Sequence, residues 1–184
     1  HKPLSNETLR QAILKCLAVS SVAVFSIGAQ ADVCDIVYGV QDEGINHSQI
    51  VTIDPNNNYR VEALGGIHGG IDIEGLDITS DGSLLVGSTG DESYDPSALY
   101  EVNTANGEIT RMGAIGFQYN GQDISGTEIS AISFRPNSGD LFAWSEECGL
   151  VDVNEEAPGN SELIMPISGD NFAACLGDNQ ARKN

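Results

Sequence analysis

The chain has 184 residues, with 27 Asp+Glu against 8 Lys+Arg and a formal net charge of −19. A surface of that sign repels phosphate backbones and anionic lipid heads, which excludes nucleic-acid and membrane-surface binding and favours divalent cations, cationic partners or solubility in a salty medium. With 40% hydrophobic and 6% aromatic residues, the length suits one modest globular unit.

At the N-terminus, Lys2, Arg10 and Lys15 precede an apolar run from Cys16 to Ala29, and Ala29-Gln30-Ala31 follows. This pattern predicts a secretory signal-peptide helix over residues 1–31, cut after Ala31. The run falls short of the roughly 20 residues that a spanning helix needs. Neither Cys16 nor Cys34 sits in a lipobox-like context. The expected location is therefore secreted, periplasmic or cell-surface, without membrane attachment once the leader is gone. Residues 32–184 then form the mature domain, with Arg60, Arg111, Arg135, Arg182 and Lys183 as its basic residues. Cys34, Cys148 and Cys175 remain in it, enough for one disulfide and one thiol in a pairing that the sequence leaves open. Their spacing matches no zinc or thioredoxin-type motif.

Beyond the leader the chain repeats itself. Ile73-Glu74-Gly75-Leu76-Asp77-Ile78 returns as Ile129-Ser130-Ala131-Ile132-Ser133-Phe134, and each precedes a turn and a second short strand, Leu84 to Gly87 and Leu141 to Trp144. A third strand occurs as Ile50 to Asp54, Leu99 to Asn103 and Leu150 to Asn154, at separations of 49 and 51 residues. A fourth follows at Tyr59 to Leu64, Glu108 to Met112 and Glu162 to Met165. Alternating apolar and polar residues mark half-buried strands. Asp54-Pro55-Asn56-Asn57-Asn58 and Asn103-Thr104-Ala105-Asn106-Gly107 supply turns between them. Four strands repeating at about 40 to 50 residues predict β-propeller blades. The units are expected at 36–70, 71–123 and 128–168, with a further unit starting in 171–184.

The runs Asp72-Ile73-Glu74-Gly75-Leu76-Asp77, Asp81-Gly82, Leu99-Tyr100-Glu101-Val102-Asn103 and Asn106-Gly107-Glu108-Ile109-Thr110 resemble secreted bacterial β-propeller repeat proteins of the NHL or YVTN-like kind. The resemblance implies an all-β fold of four-stranded blades, about three of them, as a partial propeller. Closure of the ring by oligomerisation and a β-sandwich-like arrangement are the alternatives. An open array of blades exposes a sheet edge and predicts self-association unless a protein or glycan partner covers it. Fold alone does not assign function.

In a propeller the first strand of each blade lines the central channel, which would turn Asp72, Glu74 and Glu128 towards one axis. Converging carboxylates suit Ca²⁺, which takes six to eight oxygen ligands. Propeller enzymes resembling lactonases or phytases imply the Glu74-Gly75 step as a ligand position, with the metal polarising a substrate oxygen. Asp91, Glu92 and Asp95 form a second acidic cluster on the loop from Gly87 to Pro96, without EF-hand spacing. His68, within Gly65-Gly66-Ile67-His68-Gly69-Gly70, is expected in a connection leading to the innermost strand, near the channel mouth, as a candidate base beside Glu74. Trp144 is expected in the packing between blades or as a stacking platform for a ligand. No Gly-x-Ser-x-Gly elbow or Ser-x-x-Lys motif is present. The first expectation is a non-enzymatic binding or surface module with Ca²⁺ as a structural cofactor. A metal-dependent hydrolase and a self-assembling structural protein are the other two.

Overall fold

The computed structural model describes residues 36–44, 46–168, 172 and 174–176; the expected signal peptide and Cys34 lie outside them. The fold is all-β. The first sheet holds β1 (Val37–Asp42), β2 (His47–Asp54) and β3 (Arg60–Gly69), and the second holds β4 (Ile73–Ile78), β5 (Leu85–Thr89), β6 (Ala98–Val102) and β7 (Ile109–Ala114). A hairpin of β8 (Gly116–Tyr119) and β9 (Gln122–Ser125) leads to the third sheet, β10 (Ile129–Phe134), β11 (Leu141–Ser145), β12 (Gly149–Val153) and β13 (Glu162–Pro166). Every strand pair within these sheets is antiparallel, and each strand is bonded to the next in sequence, which is the up-and-down order of a propeller blade.

The unit 36–70 contributes three strands among the described residues, equivalent to the second, third and fourth of the later sheets, with the expected third and fourth at β2 and β3. Two other features differ from expectation. The 71–123 unit ends in an unforeseen hairpin whose second strand runs past its expected end, where Tyr119-Asn120-Gly121-Gln122 makes a tight turn with Asn120 and Gly121 both at positive φ. In the tail, where a further first strand was expected, residues 172 and 174–176 are helical. Phe172 and Leu176 pack against the core there, with Phe172 edge-on to Tyr119, and Cys175 bonds to Cys148. That disulfide closes the pairing left open by the sequence.

The alternation of side chains places one residue in two on each face of a strand. In the second sheet, Leu85, Val102 and Ile73 meet Ile50 of the first sheet. Val86 and Leu99 meet Ile132, Phe134, Leu141, Ala143, Val151 and Val153 of the third, with Ile115, Phe117 and Ile124 closing one end. Each fully buried Leu or Ile contributes roughly 1.5–3 kcal/mol. The sheets are also joined by polar bonds: Ser48 Oγ accepts the Ile73 N–H at 2.9 Å, and Asp77 Oδ2 accepts the Phe134 N–H at 2.7 Å.

Candidate carboxylate site

The inner strands β4 and β10 lie side by side and begin with the same irregularity. Pairing steps from Ile73↔Thr89 to Gly75↔Ser88 in one sheet and from Ile129↔Ser145 to Ala131↔Trp144 in the other, leaving Glu74 and Ser130 as the extra residues of two β-bulges. A bulge bends the strand and re-aims a side chain. Glu74 is thereby exposed between buried Ile73 and Gly75. Its carboxylate lies over Gly90, where an added Cβ would stand 2.4 Å from Oε1. The Gly90 N–H in turn donates to the Asp72 carbonyl at 3.1 Å, fastening the loop after β5 to the start of β4.

The same end of the third sheet brings Glu128 into reach. The Glu146 N–H donates to the Glu128 carbonyl at 3.2 Å, and the Glu128 N–H donates to Glu147 Oε2 at 3.2 Å. The electrostatics follow from this placement. Glu74 is pushed up to about 7 by desolvation against the backbone and then by Glu128, Asp72, Asp91 and Glu146. Desolvation raises Glu128 too, with Glu146, Asp91, Glu147 and Glu92 adding repulsion. Asp72 is raised by desolvation, then by Asp42 and Asp91. Every charged group among the described residues that acts on these three is another carboxylate. Among the described residues no three His, Cys, Asp or Glu side chains converge closely enough to form a ready metal cage.

Of the sequence candidates, Asp72, Glu74, Glu128, Asp91 and Glu92 thus share one electrostatic neighbourhood without converging, and Asp42, Glu146 and Glu147 act on it as well. The signal for Glu147 was the repeat, since it follows Ser145 as Asp91 follows Thr89. Asp95 is engaged elsewhere. Its carboxylate takes Arg111 Nε at 2.5 Å, Arg111 Nη2 at 3.1 Å and the Tyr100 hydroxyl at 2.8 Å. The Arg111 bond holds Asp95 below the usual aspartate range, and desolvation followed by the Asp95 bond pushes Tyr100 up to about 12.

His68 differs from its expected setting. It belongs to strand β3 rather than to a connection, because the Gly-rich segment continues the ladder with His68 opposite Ser48. Its Nε2 donates to the Gly107 carbonyl at 2.9 Å, across to the turn between β6 and β7. The backbones meet closely at that seam, where a Cβ on Gly107 would stand 1.9 Å from the Leu64 carbonyl oxygen. His68 thus ties two sheets together. No protein-family model matches the chain, and no curated protein matches it either.

Proposed function

We propose that the chain is an exported, acidic, β-propeller-like binding module that receives a cation at the carboxylate end of its second and third sheets, with Ca²⁺ as the ligand of first choice. The observation that carries this reading is the placement of Asp72, Glu74 and Glu128 where the inner strands of two sheets begin, each raised by burial and then by neighbouring carboxylates, with no positive group among the described residues acting on any of them. Such a set repels itself when ionised, and a hard cation with six to eight oxygen ligands relieves that repulsion. Binding draws in carboxylates that stand apart without it. The Cys148–Cys175 disulfide supports the exported reading, because such bonds persist in oxidising compartments. Thermal unfolding of the chain with millimolar Ca²⁺ and then with chelator tests the proposal, since a ligand that binds only the native state raises the transition. An upward shift lost in a Glu74→Gln, Glu128→Gln double variant supports it; an unchanged transition refutes it.

A hydrolase is the second reading, favoured by one observation: a carboxylate held at about 7 is matched to general acid–base work at neutral pH. Under that reading, metal-dependent turnover appears in a panel of phosphoesters, lactones and sugar esters and disappears in Glu74→Gln. Absence of turnover across the panel removes this reading and leaves the binding module standing.

A further inference from the structure

Among the described residues, the two outer faces of the sheet stack repeat the two halves of the interfaces inside it and meet no further sheet. In the second sheet Leu99 and Val86 face the third sheet and are fully buried. The equivalent face of the third sheet, one repeat later, carries the cross-strand row Ala131↔Trp144↔Leu150↔Met165, with Phe142 in the next row. No sheet among the described residues packs on this row: Trp144 is 36% and Met165 52% exposed, with Leu150 half-buried between them. At the opposite end, Val151 and Val153 of the third sheet face the second and are buried; their counterparts Val51, itself buried, and Ile53, half-buried, lie on the other face of the first sheet from Ile50. There the row Val37↔Ile53↔Val61 leaves Val37 49% and Val61 55% exposed.

We propose that these two faces bind each other between copies, the third sheet of one chain packing on the first sheet of a second copy. The contact continues the established interface by the same repeat step: Trp144, Leu150 and Met165 take the role that Ser88 and Leu99 play against the third sheet, and Val37, Ile53 and Val61 the role of that sheet's buried valines. The equivalence argues for a second copy as the occupant, since each face matches the other and neither matches itself. The contact is heterologous, and it propagates or closes a ring according to the angle at each step. It is independent of the carboxylate end. With a net charge of −19, copies repel one another at low ionic strength, and added salt removes that barrier.

Sedimentation velocity of the full chain at low and high ionic strength tests the proposal, alongside Trp144→Glu and Val61→Glu. Both substitutions fall on exposed side chains, and circular dichroism checks that each variant keeps its fold. The expected result is salt-promoted assembly of the unaltered chain, monomers for each variant alone, and a capped dimer when the two variants are mixed, because each retains the face that the other has lost. Trp144 is the only tryptophan, and its emission shifts to the blue as assembly buries it. A monomeric unaltered chain at high salt and high concentration overturns the proposal. So does assembly that survives either substitution, or a mixture that stays monomeric.

Discussion

The carboxylate of Glu74 occupies the space that a side chain at residue 90 would need, so Gly90 sets where that charge sits. The clashing atom is the end of a flexible side chain. Gly90→Ala is therefore expected to displace the carboxylate at a cost below about 1 kcal/mol and leave the fold intact. Moved off the backbone, Glu74 loses desolvation, the largest cause of its elevation, and titrates nearer the ordinary value of 4.5 than about 7. Carboxylate titration by carbon NMR checks both numbers, and a Glu74 midpoint unchanged by Gly90→Ala would contradict the account.

The raised carboxylates also give stability a definite pH dependence. Folded Glu74 holds its proton more tightly than the unfolded chain does, so its contribution is full below about pH 4.5 and is lost as pH rises through about 7. Asp72 and Glu128 act in the same direction. Asp95, lowered by Arg111, opposes them, and its contribution is lost as pH falls through its depressed value. Without added cation, the melting temperature is expected to decline between pH 5 and pH 8, and Glu74→Gln to flatten that decline. Millimolar Ca²⁺ should reverse the slope, because the cation competes with the proton.

The disulfide between Cys148 and Cys175 encloses a 27-residue separation, and loop-closure entropy assigns about 3.5 kcal/mol to such a link. It fixes the tail helix beside the turn that carries Glu146 and Glu147. Replacing both cysteines by serine is expected to lower stability by roughly 2–5 kcal/mol in denaturant titrations. Reduction of the unaltered chain should reproduce the loss, and a reductant-insensitive midpoint would show that the bond contributes nothing.

The strand order was legible because the repeat spans the chain twice over, and Leu99 and Leu150 mark the same register position in two sheets. The hairpin was not legible, since Gly116–Tyr119 and Gln122–Ser125 have no counterpart among the described residues of the other units. The acidic candidates divided according to long-range pairing. Asp91 and Asp95 look alike in sequence, yet Asp95 is taken up by Arg111, because the β6–β7 ladder brings Arg111 opposite Tyr100. The position of His68 was hidden by its glycines, which read as a loop but continue β3 beyond the usual strand length.

Asp77 makes the most specific of the bonds between sheets. Its Oδ1 accepts the Ile78 N–H at 2.8 Å and its Oδ2 the Phe134 N–H at 2.7 Å, tying β4 to β10 at the ends of these strands away from Glu74 and Glu128. Hydrogen bonds to a charged group are worth about 1.5–3 kcal/mol, and removing the acceptor leaves the Phe134 amide without its partner in a part-buried position. Asp77→Ala is accordingly expected to cost about 1.5–3 kcal/mol in urea titrations. Asp77→Asn should cost less, since the amide keeps one acceptor oxygen. The discriminating measurement is hydrogen exchange at the Phe134 amide, whose protection should fall selectively in Asp77→Ala while amides of the β1–β2 ladder change little. If Phe134 stays protected, the two sheets are held by apolar packing alone, and the geometry linking Glu74 to Glu128 rests on Ile132 and Phe134 instead of on this bond.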